Sequence, residues 1–160
     1  MLRLLWKSLS TRLCLIFLAV YTIMAIWGEC QYNLARSRNE TPAYNLVDES
    51  RRYEPPSFSE DGFIMGSDNL GRSVFLRLVQ GTRIAFHVGV MTSLIAIPLG
   101  VLLGCLGGYY GGKVDSFVVW LCATVSSVPS LLLILAVAMV VGKGLAGIYW
   151  GIGLTTWVGI

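Results

Sequence analysis

The sequence predicts an all-α, polytopic membrane protein. Four helical spans are expected, the fourth incomplete, with a polar extracytoplasmic loop and a short interfacial helix. Composition is the first ground: the 160 residues are 55% hydrophobic and only 13% charged, about half the charged fraction of a soluble domain. Charge segregation is the second. Seven of the twelve basic and eight of the nine acidic residues fall within 28–84, and after Arg83 only Lys113, Asp115 and Lys143 are charged. A tract this long and this poor in charge is membrane-embedded. Third, apolar runs alternate with Gly, Pro and charged breaks. The net charge of +3 therefore carries no message about nucleic acid.

Residues 1–12 read as a cytoplasmic basic tail bearing Arg3, Lys7 and Arg12. Residues 13–27 are the first span, rising about 22 Å if helical. Leu9 and Ser10 can lengthen it, Arg12 can snorkel, and Trp27 suits the interface. A cleaved leader is disfavoured, because Trp27 stands where a small residue is needed and Gly28-Glu29 before Cys30 is not a lipoprotein pattern.

Residues 28–83 form the polar loop. Arg51 to Pro56 should be extended, because each proline pushes its predecessor out of the helical region. Asn39-Glu40-Thr41 matches a glycosylation sequon, read as coincidence with Pro42 following. The most patterned stretch is Gly66–Arg83. Ser67 or Asp68 can cap a helix start and Gly81 can end it. Between them Val74, Phe75, Leu78 and Val79 share a face. The expectation is a helix over about 69–80 lying flat where water meets lipid, handing the chain into the membrane at Ile84.

The second span runs from about Ile84 to Tyr109. Thr92, Ala96, Gly100, Gly104 and Gly108 recur every four residues and make a helix-packing face of small side chains. That face serves packing within this subunit or against a second one. Pro98 should bend the helix. Gly107 to Gly112 is a tight return; it lacks the spacing, strand and lysine of a phosphate-binding loop. The third span, Val114 to Val141, is longer than a bilayer needs and is interrupted at Ser126, Ser127, Pro129 and Ser130. That interruption is either a plain kink or a break lining a translocation path. Gly142-Lys143-Gly144 makes a turn, and Leu145 starts a fourth span that stops at Ile160 without a polar exit, which reads as a truncation.

No catalytic, cofactor-binding or metal-binding constellation is expected, and the chain does not read as an enzyme. Cys14, Cys105 and Cys122 lie in apolar runs, Cys30 stands alone in the loop, and His87 is the single histidine. Three basic residues and no acid in the tail place the N-terminus in the cytoplasm, hence 28–83 outside.

Four motifs in order resemble one family. Gly66-Ser-Asp68-Asn-Leu-Gly71-Arg72, with Arg77, Gly81 and Arg83, is similar to the "GTDxxGRDxxSRxxxGxR" segment of the C-type permease subunit of dipeptide/oligopeptide/nickel ABC importers. Gly108-Tyr109-Tyr110-Gly111-Gly112-Lys113-Val114-Asp115 resembles its "GYxGGxxD" turn. Val128-Pro129-Ser130-Leu131-Leu132-Leu133 resembles "(F/L)PSLLL", and Gly142-Lys143-Gly144-Leu145 resembles "GxGL". Ser73 and Leu76 replace the family's usual Asp and Ser. The family's "EAA" loop, which docks the ATPase, and its last two spans have no counterpart in the sequence.

The resemblance implies that 84–160 begins a type-1 transmembrane permease domain in a bacterial inner membrane. It implies an importer of peptides or nickel, with ATP hydrolysis done by separate subunits. The implied partners are a second homologous permease, two cytoplasmic ATPase subunits, an extracytoplasmic solute-binding protein and the lipid bilayer. Two other readings stay open: a non-transporting membrane remnant or scaffold, and a membrane-anchored binding ectodomain.

Overall fold

The computed structural model describes residues 8–58, 63–142 and 144–160. Arg3, Lys7 and Lys143, on which the expected tail and one expected turn depend, lie outside the described residues. Helices carry the architecture: α1 is Leu9–Ser37, α2 Val74–Tyr110, α3 Gly112–Ser127, α4 Ser130–Val141 and α5 Leu145–Thr156. Short 3₁₀ turns cover Ala43–Asn45, Glu49–Arg51 and Trp157–Gly159. The chain divides into two compact units, Met1–Phe86 and His87–Ile160.

α1 starts inside the expected tail. Ser8 caps it, its hydroxyl accepting from the Thr11 amide at 3.3 Å, as short polar side chains do at helix starts. It also continues ten residues past Trp27. Those residues are polar but contain no proline and no glycine after Gly28, so nothing ends the helix until Asn39 adopts φ 52°.

The expected interfacial helix is corrected by the structure. Residues 66–73 are not helical; they form a turn closed by a single bridge between Ser67 and Ser73. The helix begins at Val74, and the Ser73 hydroxyl accepts from the Leu76 amide at 3.3 Å. Ser73 is therefore the cap, not Ser67 or Asp68. Gly81 does not end the helix but lies inside it, with no positive φ. Residues 74–83 are the first turns of the same helix as the apolar stretch after Ile84. They continue that span rather than lie flat beside it. The physical reason is that one Gly costs only about 1 kcal/mol in a helix, too little to break a segment with helix-forming residues on both sides.

Within the first unit, α1 packs against the start of α2. Tyr21 meets Phe86 and Trp27 meets Phe75, with ring centroids 6.2 and 6.0 Å apart. Gly28 lets the backbones close in, since a Cβ there would lie 3.2 Å from Val79 and Arg83.

In the second unit the return after α2 takes one residue. Gly111 and Gly112 both have positive φ, 60° and 53°, which glycine adopts without strain. α3 and α4 are separated at Val128-Pro129 and bend by 91°. α4 and α5 form a hairpin across Gly142 and Gly144, at φ 115° and 116°.

Among the described residues two helices are long and apolar enough to cross a membrane, α1 and α2, or three spans if the bent α3–α4 pair is one. The expected fourth span is the 12-residue α5 followed by a 3₁₀ turn. At about 18 Å it is shorter than a hydrocarbon core of about 30 Å.

Candidate functional site

Three features stand out in the sequence: the Gly66–Arg83 motif, the small-residue face and the helix break. Each has a definite place in the fold.

The motif folds around one carboxylate. Asp68 accepts from the Leu70 amide at 2.8 Å, the Arg72 amide at 3.0 Å and Arg72 Nε at 2.9 Å. Arg72 Nη2 lies 2.8 Å and Arg77 Nη1 2.6 Å from the same carboxylate. The turn is closed by Gly71 N donating to Asp68 O at 3.0 Å and Asp68 N donating to Arg72 O at 3.0 Å. Partial burial raises the Asp68 carboxyl, but the Arg72, Leu70 and Arg77 donors outweigh it and hold the group far below the usual carboxylate range.

This turn is fastened to the segment 48–57. Asp48 N donates to Leu70 O at 3.2 Å, Tyr53 N to Asp68 O at 3.2 Å and Ser67 N to Glu54 O at 3.1 Å. The Ser67 hydroxyl accepts from Glu54 N at 2.7 Å and donates to Arg51 O. Two glycines are obligatory. Gly66 at φ 74° and Gly71 at φ 69° are left-handed, and a Cβ at either would collide with the carbonyl of Glu54 or of Asp48. Asp48 accepts from the Ser50 hydroxyl and amide, which lower its carboxyl below the usual range.

Gly66, Asp68, Gly71, Arg72 and Arg77 are thus brought together. Gly81 and Arg83 are not part of that cluster. Arg83, 11% exposed, binds Glu29 at 2.5 Å and stacks its guanidinium 3.8 Å from the centre of the Tyr32 ring. Glu29 also accepts from Asn33 at 3.0 Å. Sequence reasoning missed this group. Its signal was present: Glu29, Tyr32 and Asn33 fall at i, i+3 and i+4, one face of a helix, but only if the helix is allowed to run past Trp27.

The small-residue face divides. Thr92 and Ala96 are buried, and a Cβ at Gly100 would lie 2.8 Å from Ile160. A Cβ at Gly104 or Gly108 would have nothing within 4 Å. Other close helix approaches in this unit use glycines outside that face: Gly147 and Gly151 against Ala138 and Ile134, and Gly153 against Ile95. These glycines escape a sequence reading because Trp150 and Tyr149 between them mask the spacing.

At the break, Ser126, Ser127, Pro129 and Ser130 are all exposed. Ser127 donates to Thr124 O at 2.7 Å, and α4 starts without a side-chain cap. Among the described residues, no group of three or more His, Cys, Asp or Glu is gathered as for a metal ion.

The fold and these sites define a helical, multi-pass membrane protein. No family model matches the chain, but individual proteins do. The glutathione transport system permease protein GsiD of Pectobacterium atrosepticum is 36% identical over 106 residues, 66% of this chain and 34% of its own length. The dipeptide transport system permease protein DppC of Bacillus subtilis is 39% identical over 95 residues, 59% of this chain and 30% of its own. The oligopeptide transport system permease protein OppC of the same species is 31% identical over 144 residues, 90% of this chain and 44% of its own. The chain spans between about a third and under half of the length of these curated relatives. The chain is thus similar to the permease subunits of peptide transport systems, and with its apolar helices this indicates a multi-pass protein of the bacterial inner membrane.

Proposed function

We propose that this chain forms part of the transmembrane permease of a binding-protein-dependent ABC importer for peptides. The observation that carries it is the match to an oligopeptide permease over 144 residues, 90% of the chain. The relatives are named for glutathione, dipeptide and oligopeptide transport, which favours peptides over nickel as cargo. The chain's own part is to line and gate a path. Hydrolysis of ATP belongs to two separate cytoplasmic subunits, and a second permease completes the pore.

The N-terminus is cytoplasmic in this reading, and residues 38–73 stand outside, where a solute-binding protein delivers cargo. The break at Ser126–Ser130 supports a path-lining role, because its hydroxyls and helix ends suit water or a peptide backbone rather than lipid. The open positions Gly104 and Gly108 suit close approach by a helix of the second permease.

The test is uptake of labelled dipeptide, glutathione and oligopeptide in cells deleted for the gene and complemented with it. Restored uptake of at least one is expected, and unchanged uptake of all three on deletion would refute the reading. Cysteine at Ser127 or Ser130 should change its reactivity toward a small thiol reagent during turnover. Uniform inaccessibility would make the break a plain kink.

A further inference from the structure

A cavity of 340 Å³ lies in the first unit, between residues 43–51, Phe63, the turn at Gly71 and the first turn of α2. Neither the helix contacts nor the Asp68 cluster uses it. One water occupies about 30 Å³ in the liquid, so the cavity has room for about a dozen non-hydrogen atoms. Small-molecule sites fall in this size range.

Its lining is of two kinds. Leu46, Phe63 and Leu76 give it an apolar face, and Asp48 and Arg51 give it one charge of each sign. The two charges stand close without being fastened to each other. Asp48 Oδ2 lies 3.7 Å from Arg51 Nε, beyond hydrogen-bond distance, with the side chains 51% and 36% exposed. Such a pair contributes little by itself. Asp48 Oδ1 accepts from the Ser50 amide at 3.1 Å and hydroxyl at 2.6 Å. These bonds fix the carboxylate and leave it acceptor capacity, since a carboxylate has about four lone-pair sites. The Arg51 guanidinium lies 4.9 Å over the centre of the Phe63 ring. Its five N–H donors let it take a further anion without giving up the partners it has. Beside it, 4.0 Å from Arg51 Nη1, Glu54 Oε2 is buried with no hydrogen-bond partner among the described residues. A buried acceptor left in this state marks a polar arrangement that the chain alone does not complete.

The occupant comes from water, not from lipid. α1 ends ten residues after Trp27 and α2 begins ten residues before Ile84. Each helix thus carries the loop about 15 Å past the end of its apolar run. A lone cation or a lone anion in the cavity would face a like charge, and a purely apolar molecule would desolvate both charges without replacing their water. A molecule with an ammonium, a carboxylate and an apolar side chain meets all three features of the lining.

We propose that this cavity is a binding site for a small zwitterion with an apolar side chain, an unblocked short peptide or a single amino acid. The ammonium sits on Asp48, the carboxylate on Arg51, and the side chain against Leu46, Phe63 and Leu76. Only the choice of a peptide as cargo held here rests on the importer reading above.

The test is calorimetric binding to the purified chain in lipid nanodiscs. The probes are leucine, leucyl-leucine, glycyl-glycine, and leucyl-leucine acetylated at its amine or amidated at its carboxylate. Leucine or leucyl-leucine should bind, and the stronger of the two distinguishes amino acid from peptide. Glycyl-glycine should bind at least tenfold more weakly. Each blocking group should weaken binding about tenfold. Asp48→Asn keeps an acceptor for Ser50. It should cost the same factor toward the free peptide and nothing further toward the acetylated one. Arg51→Gln should behave likewise toward the amidated one. A merely structural fault would not single out one end of the probe. Leu46→Trp fills the cavity from an exposed position and should abolish binding. Absence of binding by every probe, equal binding of free and blocked peptide, or unchanged binding in Leu46→Trp would each overturn the proposal. The expected binding pattern, in a chain whose deletion leaves peptide uptake unchanged, would uphold the cavity and sink the importer reading alone. Restored uptake without binding would sink the cavity alone.

Discussion

Two of the close helix approaches in this molecule are made by different means. In the first unit α1 meets α2 through Gly28, but the contact is finished by the Glu29–Arg83 pair and the Tyr32 ring. In the second unit α4 meets α5 through Gly147 and Gly151, packed against Ala138 and Ile134. The difference follows the surroundings. The first contact lies beyond the apolar runs, where directional polar bonds can be assembled from hydrated groups. The second lies among apolar residues, where shape is the available device, because lipid is as apolar as leucine and burial offers little drive.

The comparison can be broken hardest at the turn that leads into α2. Gly71→Ala forces a side chain into the Asp48 carbonyl at a left-handed position. The conformational penalty alone is about 1–2 kcal/mol, and the collision adds to it. Loss of folded protein on fluorescence-detected size exclusion is expected; a normal profile would show the loop to be plastic.

Gly151→Leu should come next. A Cβ already lies 2.9 Å from Ile134 O, so the hairpin must separate, at a cost of about 1–3 kcal/mol. Gly104→Leu is its control. With nothing within 4 Å, it should leave the chain's own thermal stability unchanged and reduce only co-purification of the second permease that the proposed function calls for.

Arg83→Ala should lower stability by about 1–2 kcal/mol, since Arg83 is 11% exposed but Glu29 is 34% exposed and keeps solvent. Arg83→Lys should recover only part of this, because an ammonium loses the flat stacking on Tyr32. Full recovery would reduce the contact to simple charge.

The smallest effect should be that of pH. Asp68 has its carboxyl depressed in the folded chain. Its stabilisation is therefore complete above the unfolded value of about 3.9 and is lost as pH falls through the folded one. Limited proteolysis of the 38–73 loop should stay constant from neutral pH down to about 4 and rise only below that. A loosening near pH 6 would point to another group.

Much of the fold was legible because its cause is local. Apolar runs, the glycine returns at 111–112 and 142–144, and the interruption at Pro129 depend on residues adjacent in sequence. The candidate site was legible in composition but not in form. Gly66, Asp68, Gly71 and Arg72 stand out, yet their local pattern suits a helix. The arrangement they adopt, a turn pinned to residues 48–57, requires partners more than ten residues away. The length of α1 escapes a sequence reading for a related reason. Hydropathy marks where the membrane ends, whereas helices end where the backbone is broken.

By itself the sequence determined the all-α class, the membrane setting and the positions of the breaks, because hydropathy and backbone preference act on each residue and its neighbours. Only the tertiary structure decided which glycines carry helix contacts and why Gly66 and Gly71 need to be glycine. Those depend on which distant carbonyls and side chains arrive alongside, and a linear order of residues does not contain that distance.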